Sequence, residues 1–510
     1  MRSHTVVIVG GGPTGLMLAA ELALAAVDVV VLERRADQSL SGSRALGITA
    51  RTLEVLDQRG LAERFLEAGQ TAQITGFATT RLDLSDFPTR HPYGLALRQK
   101  HIERLLAEWV TELGVPILYG SEVDGFVQDE RGVDVTLDDG GSMRARFLVG
   151  CDGGRSVVRK IAGIEFRGWD ATTSNLLAEV EMTETPPYGV HRTAAGLHAF
   201  GREEYEIRNG EIIYKEVGPI GVMVTEPDVG STREPTLEDL KRLLVLACGT
   251  DYGAHSLTWI SRFTDMTRQA VRYRDGRVLL SGDAAHVHSP IGGQGLSTGV
   301  QDAVNLGWKL ALVAKGLAPD RLLDSYHDER HPVGARVLEA TMAQVALNRD
   351  DERTGAAPTV LGDILRMEEP RTLLAGRMSG LDIRYDLGEG HPLLGRRMPD
   401  LDIETSHGER RVFSFLHGGR AVLLDLARRG TLDITPWADR VQHVIAAYTD
   451  TWVLPVIGPV SAPDAVLIRP DGHVAWVGEG TPAGLTEALA TWFGPAAPGG
   501  TNRNGQLGTG

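Results

Sequence analysis

Five apolar or β-branched residues, Thr5–Val9 (TVVIV), stop at a glycine cluster, GGGPTG, and an eleven-residue, mostly apolar stretch follows, Leu16–Ala26. A short apolar run closed by glycine reads as a buried strand, and the longer run as a helix. VDVVVLE then reads as a second strand ending at Glu33. The strand-then-glycine pattern returns twice. Phe147–Gly150 runs into CDGGRSVVRK (Cys151–Lys160), RVLL (Arg277–Leu280) runs into SGDAAHVHSP, and QDAVNLGWKLALVAKG reads as a long helix. Residues 176–272 lack such glycines and read as a separate sheet-bearing unit. Within it, Asn209-Gly210 between EYEIR and EIIYKEV signals a hairpin, and Thr236 followed by Asp239 signals a capped helix start. Further on, YHDERHPVGARVLEATMAQVAL reads as two helical pieces divided at Pro332, because proline removes a ladder hydrogen bond. RAVLLDLA and VQHVIAAY read as strands, DAVLIRPDGHVAWVG as a hairpin turning at Pro470-Asp471-Gly472, and PAGLTEALATWFG as a closing helix. PAAPGGTNRNGQLGTG has the composition of a disordered tail. The pattern predicts an α/β chain of several domains.

Composition narrows the function classes. At 510 residues with 42% hydrophobic and 23% charged residues, the chain is an ordinary soluble globular protein of multi-domain size. A formal charge of −15 disfavours a nucleic-acid partner. The two cysteines, Cys151 and Cys248, form no C-x-x-C, which fits a reducing cytoplasm and excludes a disulfide scaffold. No signal-peptide pattern opens the chain, and Glu21 and Asp28 interrupt the one stretch, Leu16–Leu32, that could suggest a membrane span.

Gly10, Gly12 and Gly15 have G-x-G-x-x-G spacing between a strand and a helix, with an acid, Glu33, at the end of the next strand. That is the dinucleotide fingerprint: the glycines allow a tight turn, close approach to a pyrophosphate, and close helix–strand packing. Glu33 would accept hydrogen bonds from a ribose. No second such motif follows a strand, so this site must hold the main cofactor. The stretch Ser281–Gly299 admits three readings. Asp283, His286 and His288 look like metal ligands, but the two histidines at i, i+2 supply two ligands at most. Gly295, Ser297 and Gly299 spell a nucleophile elbow, but the strand ends fifteen residues before Ser297. The reading that remains is a glycine loop that presses backbone against a cofactor, with no metal.

Jointly the three motifs resemble the para-hydroxybenzoate-hydroxylase-type flavin monooxygenases, the single-component group A aromatic hydroxylases. SRALGITARTLEVLDQRGL, GCDGGRS and GGQGLSTGVQDAVNLGWKLA are closest to the actinobacterial branch that oxidises aromatic polyketides and rifamycin-like antibiotics. The resemblance implies a Rossmann-like FAD-binding domain (1–175 and 273–390), an inserted sheet-bearing middle domain for substrate (176–272), and a C-terminal thioredoxin-like domain (391–494) without redox cysteines, structural or dimer-supporting, before the tail at 495–510. It also implies FAD as cofactor, NADPH or NADH as transient reductant, and O₂ as co-substrate. A flavin C4a-hydroperoxide would then hydroxylate a polycyclic aromatic molecule. Baeyer–Villiger insertion, antibiotic inactivation by oxygenation, and a non-oxygenating FAD protein are the alternatives.

Site residues follow from the same resemblance. Gly10, Gly12, Pro13, Thr14, Gly15, Glu33 and Arg34 would hold the adenosine diphosphate half of FAD. Gln99, Val123, Asp152, Arg155 and Asp283 would meet the ribityl and phosphate region or, for the D-G pair, the reductant as well. Pro290, Gly293, Gly295, Leu296 and Ser297 would wrap the isoalloxazine, Ser297 through its backbone, and a helix from Gly299 onward would point its positive end at the flavin. Arg44, Pro290 and Gly293 would stand nearest the chemistry. Phe77, Tyr93, Phe200, Tyr205, Tyr214 and Met223 are the expected pocket-liners.

Overall fold

The computed structural model of the chain describes residues 2–497 except 41, 43–44, 79, 194, 203–204, 209–210, 216, 232, 349–353 and 428–431. The expected disordered tail therefore lies almost wholly outside the described residues. Strand β1 (Arg2–Val9), helix α1 (Pro13–Leu24) and strand β2 (Val29–Glu33) form the first βαβ unit. Three further strands extend it into one parallel layer, in the order Val278–Leu280, Ser142–Gly150, β1, β2, Ile117–Tyr119. The β2 strand and residues 6–8 of β1 are buried on both faces, which is why they read as unbroken apolar runs. All three glycine motifs leave the carboxyl ends of neighbouring strands in this layer, where ligands of open α/β sheets bind.

Helix α2 (Ala50–Asp57) and helix α3 (Gln99–Glu112) flank the layer. The middle unit is a five-stranded antiparallel sheet in the order 189–193, 196–202, 220–226, 174–181, 255–264. Its strands begin at Ser174 and end at Thr264, so the expected limits of 176–272 cut two residues into the first strand and overrun the last. One face packs on helix α4 (Leu237–Cys248), which starts at Thr236 with the expected capping box to Asp239. Strands Tyr205–Arg208 and Glu211–Tyr214 pair antiparallel as expected; their Asn209-Gly210 turn lies outside the described residues.

Two helices correct the sequence reading. Helix α5 runs Gly295–Ala314, starting four residues before Gly299; the Thr298 hydroxyl donates to Gln294 O at 2.9 Å and closes its first turn. Helix α6 runs unbroken from Asp324 to Leu347 through Pro332. The carbonyl that the proline leaves without a donor belongs to Asp328, which is exposed to water. Buried side chains on either side, Glu329, Arg330 and Val333, anchor the helix across the gap.

In the C-terminal part, strands Ala421–Asp425 and Val441–Ala447 are parallel, and Ala465–Ile468 and Val474–Gly478 add antiparallel, before helix Leu485–Phe493. That is thioredoxin-like order. The crossover between the parallel pair carries a single 3₁₀ turn, Thr435–Trp437, among its described residues. Residues of this sheet and its helix, including Leu467, Leu489 and Phe493, belong to the same continuous core as the FAD-domain strands. No helix among the described residues is long and apolar enough to cross a membrane.

Candidate active site

The three motifs pack on one another. Gly10 has φ +108, and a β-carbon there would lie 2.4 Å from Cys151 O in the second motif. Thr14, in the first turn of α1, fills the space beside both Gly282 and Gly299; their β-carbons would lie 2.6 and 2.4 Å from its hydroxyl. Arg159 ties the second motif to the third, donating to Gly154 O and Ala284 O at 2.9 Å each. Its guanidinium lies 3.7 Å from the centre of the Phe166 ring.

This cluster fits FAD. A β-carbon on Gly12 would meet nothing within 4 Å, and α1 begins there with Pro13 in its first turn and no side-chain cap. The first amides of α1 are thus left for an anion. Glu33 accepts from Gly11 N at 2.7 Å and from Arg35 N at 2.8 Å. Burial pushes its carboxyl up, but those bonds and the Arg35 guanidinium override burial and hold it below the usual range. Arg35, not the exposed Arg34, closes the turn: it donates to Gly11 O at 3.1 Å and to Glu103 at 2.9 Å. Gln99 accepts from Ala45 N at 3.3 Å and donates to Glu103 at 2.8 Å, which fastens the segment after Arg44 to α3. Arg44 itself lies outside the described residues. Val123 has its side chain in the main core, so only its backbone faces outward.

Asp152 accepts from Val157 N and Val158 N at 2.7 and 3.1 Å, while its Oδ1 is buried without a protein partner. Arg155 is exposed beside it. Asp283 lies exposed on the 3₁₀ turn Gly282–Ala284. Exposed Pro290 accepts from Gly293 N at 3.1 Å, in a turn that needs Gly292 and Gly293 at φ +86 and +64. Helix α5 then starts at Gly295 without a side-chain cap, so the amides of Gly295, Leu296 and Ser297 are unspent.

The competing readings of this stretch have no geometry to support them. The His286 ring bonds Asp302 at 2.7 Å, and that of His288 bonds Ser289 O at 2.6 Å. They do not converge, and no group of three possible ligands occurs among the described residues. Ser297 is 2% exposed, and its Oγ accepts from Thr49 N at 3.0 Å. Burial, then Asp152 and Asp302, hold the Cys151 thiol well above its ordinary range.

Directly opposed residues of antiparallel strands share a face. Leu176, Ala178, Val180, Phe200, Val222 and Val224 face α4. Leu177, Glu179, Ala199, Gly201, Gly221, Met223 and Trp259 therefore share the other face. That face looks at the FAD domain. Arg98, just before α3, donates to Glu179 at 2.5 Å; a β-carbon on Gly42 would lie 2.0 Å from the Trp259 ring; and Arg192 donates to Asn348 O, past the end of α6, at 2.7 Å. The paired Gly201 and Gly221 leave a stretch of this floor without side chains. Tyr214 stands at its edge, its hydroxyl 3.2 Å from where a Gly201 β-carbon would be, and packs on Tyr188 with ring centres 4.7 Å apart.

Of the expected pocket-liners, Tyr214 and Met223 are on this side. The side chain of Tyr205 lies outside the described residues. Three expectations fail. Phe200 is 2% exposed beneath the sheet against α4. Phe77 is packed with Leu82, Phe87 and Met378. Tyr93 hydrogen-bonds His91 at 2.9 Å, and His91 bonds Asp57 at 2.9 Å, below α2. Aromatic character alone did not separate pocket from core. The missed residues Glu179 and Trp259 had a signal only in register, which the sequence does not print.

The FAD binding domain family matches residues 3–341, and the aromatic-ring hydroxylase C-terminal family matches residues 391–496. A rifampicin monooxygenase of Streptomyces venezuelae is 44% identical over 501 residues, covering 97% of this chain and 99% of that protein. A 12-dehydrotetracycline 5-monooxygenase/anhydrotetracycline 6-monooxygenase of Streptomyces rimosus is 42% identical over 510 residues, covering 97% and 99%. The solved structure of an anhydrotetracycline hydroxylase from Streptomyces rimosus superposes with a TM-score of 0.87 at 41% identity, covering 97% of this chain and 100% of that one.

Proposed function

The chain belongs to the FAD-binding aromatic-ring hydroxylases and is an FAD-dependent monooxygenase; from that premise we propose that it hydroxylates a flat, multi-ring phenol or quinone of the polyketide or antibiotic type, with NADPH as reductant. The observation that carries the substrate class is the floor of the middle sheet, where paired Gly201 and Gly221 raise no side chain of their own and the Tyr214 ring lies over Gly201 as an aromatic surface. A planar polycyclic molecule fits flat on such a floor; a single ring leaves most of it wet. The rifampicin and tetracycline monooxygenases among the relatives support the same class.

FAD, when bound, takes two electrons from NAD(P)H and activates O₂. The rest is done by the chain. The uncapped amides of α1 hold the pyrophosphate, and Glu33 the ribose. Asp283 and the backbone of Pro290–Gly293 position the ribityl and ring system. The positive end of α5, through the amides of Gly295, Leu296 and Ser297, would hold and stabilise negative charge on the bound ring system. Arg155 is exposed enough for the reductant to reach it. The middle sheet holds the substrate and keeps water off the reacting carbon. A formal charge of −15 argues against a nucleic-acid partner.

Anaerobic stopped-flow tests this reading. A tetracyclic phenol should accelerate flavin bleaching at 450 nm by NADPH, and p-hydroxybenzoate should not. Gly221→Leu, which raises a side chain from the floor, should abolish the effect of the tetracycle while FAD stays bound. Equal acceleration by the single ring, or an unaffected Gly221→Leu, contradicts the substrate class.

A further inference from the structure

The C-terminal domain supplies none of the expected cofactor residues, yet the tip of its hairpin is among the most deeply buried parts of the chain. Arg469, Asp471 and His473 are 0%, 2% and 4% exposed. The tip grips two helices of the FAD domain. On α2, Arg51 donates to Asp471 O at 2.9 Å; just beyond α2, Arg59 donates to Pro470 O at 2.8 Å. On α5, Asn305 bridges Asp471 at 3.1 Å and Glu329 at 2.6 Å. Arg469 completes the knot as a fork on Glu329, at 2.6 and 2.7 Å.

This knot continues to the cofactor site. Thr298, Asp302, Asn305 and Lys309 recur along α5 at helical spacing, giving a buried helix one polar side. Glu329, held by Arg469, Asn305 and Lys309, precedes Arg330 on α6. Arg330 donates to Asp302 at 2.6 Å and to Thr298 O at 3.2 Å. Asp302 in turn accepts from Gly282 N at 3.3 Å and bonds His286 at 2.7 Å, in the third glycine motif. The starts of the two gripped helices also meet: the amide of Thr49, just before α2, donates to Ser297 Oγ in the first turn of α5.

We propose that the hairpin Arg469–His473 is a positioning element for the flavin site, fixing the first turn of α5 and the Gly282–His286 segment through Glu329, Arg330 and Asp302. This rests on the FAD reading above. A buried ionic network adds little net stability but fixes one geometry, and removing one member leaves the others unpaired. The role predicted for the C-terminal domain is therefore control of how tightly and in what environment FAD sits, with no redox step of its own.

The test uses the full-length holoprotein. Arg469→Met and the milder Asn305→Ala are compared with Val466→Ala, in the opposite core of the same C-terminal sheet. FAD affinity is measured by fluorescence titration, the flavin environment by visible circular dichroism, and stability by Tm. Arg469→Met should weaken FAD by roughly tenfold or more and change the flavin dichroism. Asn305→Ala should do the same to a smaller degree, and Val466→Ala should lower Tm with both flavin signals intact. Wild-type affinity and dichroism in folded Arg469→Met or Asn305→Ala overturn the proposal. So does Val466→Ala weakening FAD as much as Asn305→Ala at equal loss of Tm. Should wild type itself bind no FAD, the cofactor reading fails, and this proposal with it.

Discussion

At Gly12 a β-carbon would meet nothing within 4 Å, whereas at Gly15 it would lie 2.0 Å from Gly10 O. The two glycines of one motif thus serve different ends, one for the ligand and one for the fold. Gly12→Val should leave the apoprotein Tm within the scatter of surface substitutions, about 0.5 kcal/mol, while FAD binding is lost in titration. Gly15→Val should not fold. A Gly12→Val protein that binds FAD as wild type does would remove the pyrophosphate assignment. Ser297 makes the opposite case. Its hydroxyl is spent on Thr49 N, so Ser297→Ala should lose about 1–3 kcal/mol of stability and keep turnover within roughly tenfold. A thousandfold loss with FAD still bound would show a chemical role for the hydroxyl. Residue identity made the glycines legible in sequence. It could not choose Arg35 over Arg34, or Arg159 over Arg155, because those choices depend on which side chain points back into the turn.

At the scale of elements, periodicity placed strands and helices well where one face or both are apolar throughout, as in β1, α1 and β2. The resemblance placed the start of α5 four residues late, since the glycines that open it look like loop, and periodicity broke α6 at Pro332, since the compensating packing comes from residues far away in sequence. The Arg469–His473 hairpin was legible as a turn but not as a plug, because its partners lie on α2, α5 and α6. His473 gives this plug a pH signature. Both ring nitrogens are buried without a hydrogen-bond partner among the described residues, and the ring packs tilted against Tyr385 with centres 4.2 Å apart. Burial lowers its pKa to about 4, against the pull of Asp471. The folded value lies below the unfolded 6.5, so the unfolded chain binds the proton first as pH falls. Stability from this group is whole above pH 6.5 and is lost as pH falls to about 4. The stability difference between wild type and His473→Phe should therefore shift in favour of the variant across that window, by about 3 kcal/mol. Parallel stability curves for the two proteins from pH 6.5 to 4 would show that the ring is not held neutral.

For the whole molecule, the parallel layer gathers three glycine motifs at its carboxyl edge, the middle sheet lays a floor with a paired-glycine stretch opposite them, and the C-terminal domain locks the helix between. The motifs were readable because each is a local strand–turn pattern. The floor was not, because it arises from strand register between residues about twenty apart. The most direct measurement is the fate of labelled oxygen. Purified yellow protein, given NADPH, a tetracyclic phenol and oxygen-18 gas, should yield a product carrying one oxygen-18 atom. NADPH consumption that gives only hydrogen peroxide across a panel of multi-ring phenols and quinones, or a product whose new oxygen comes from water, would contradict the account.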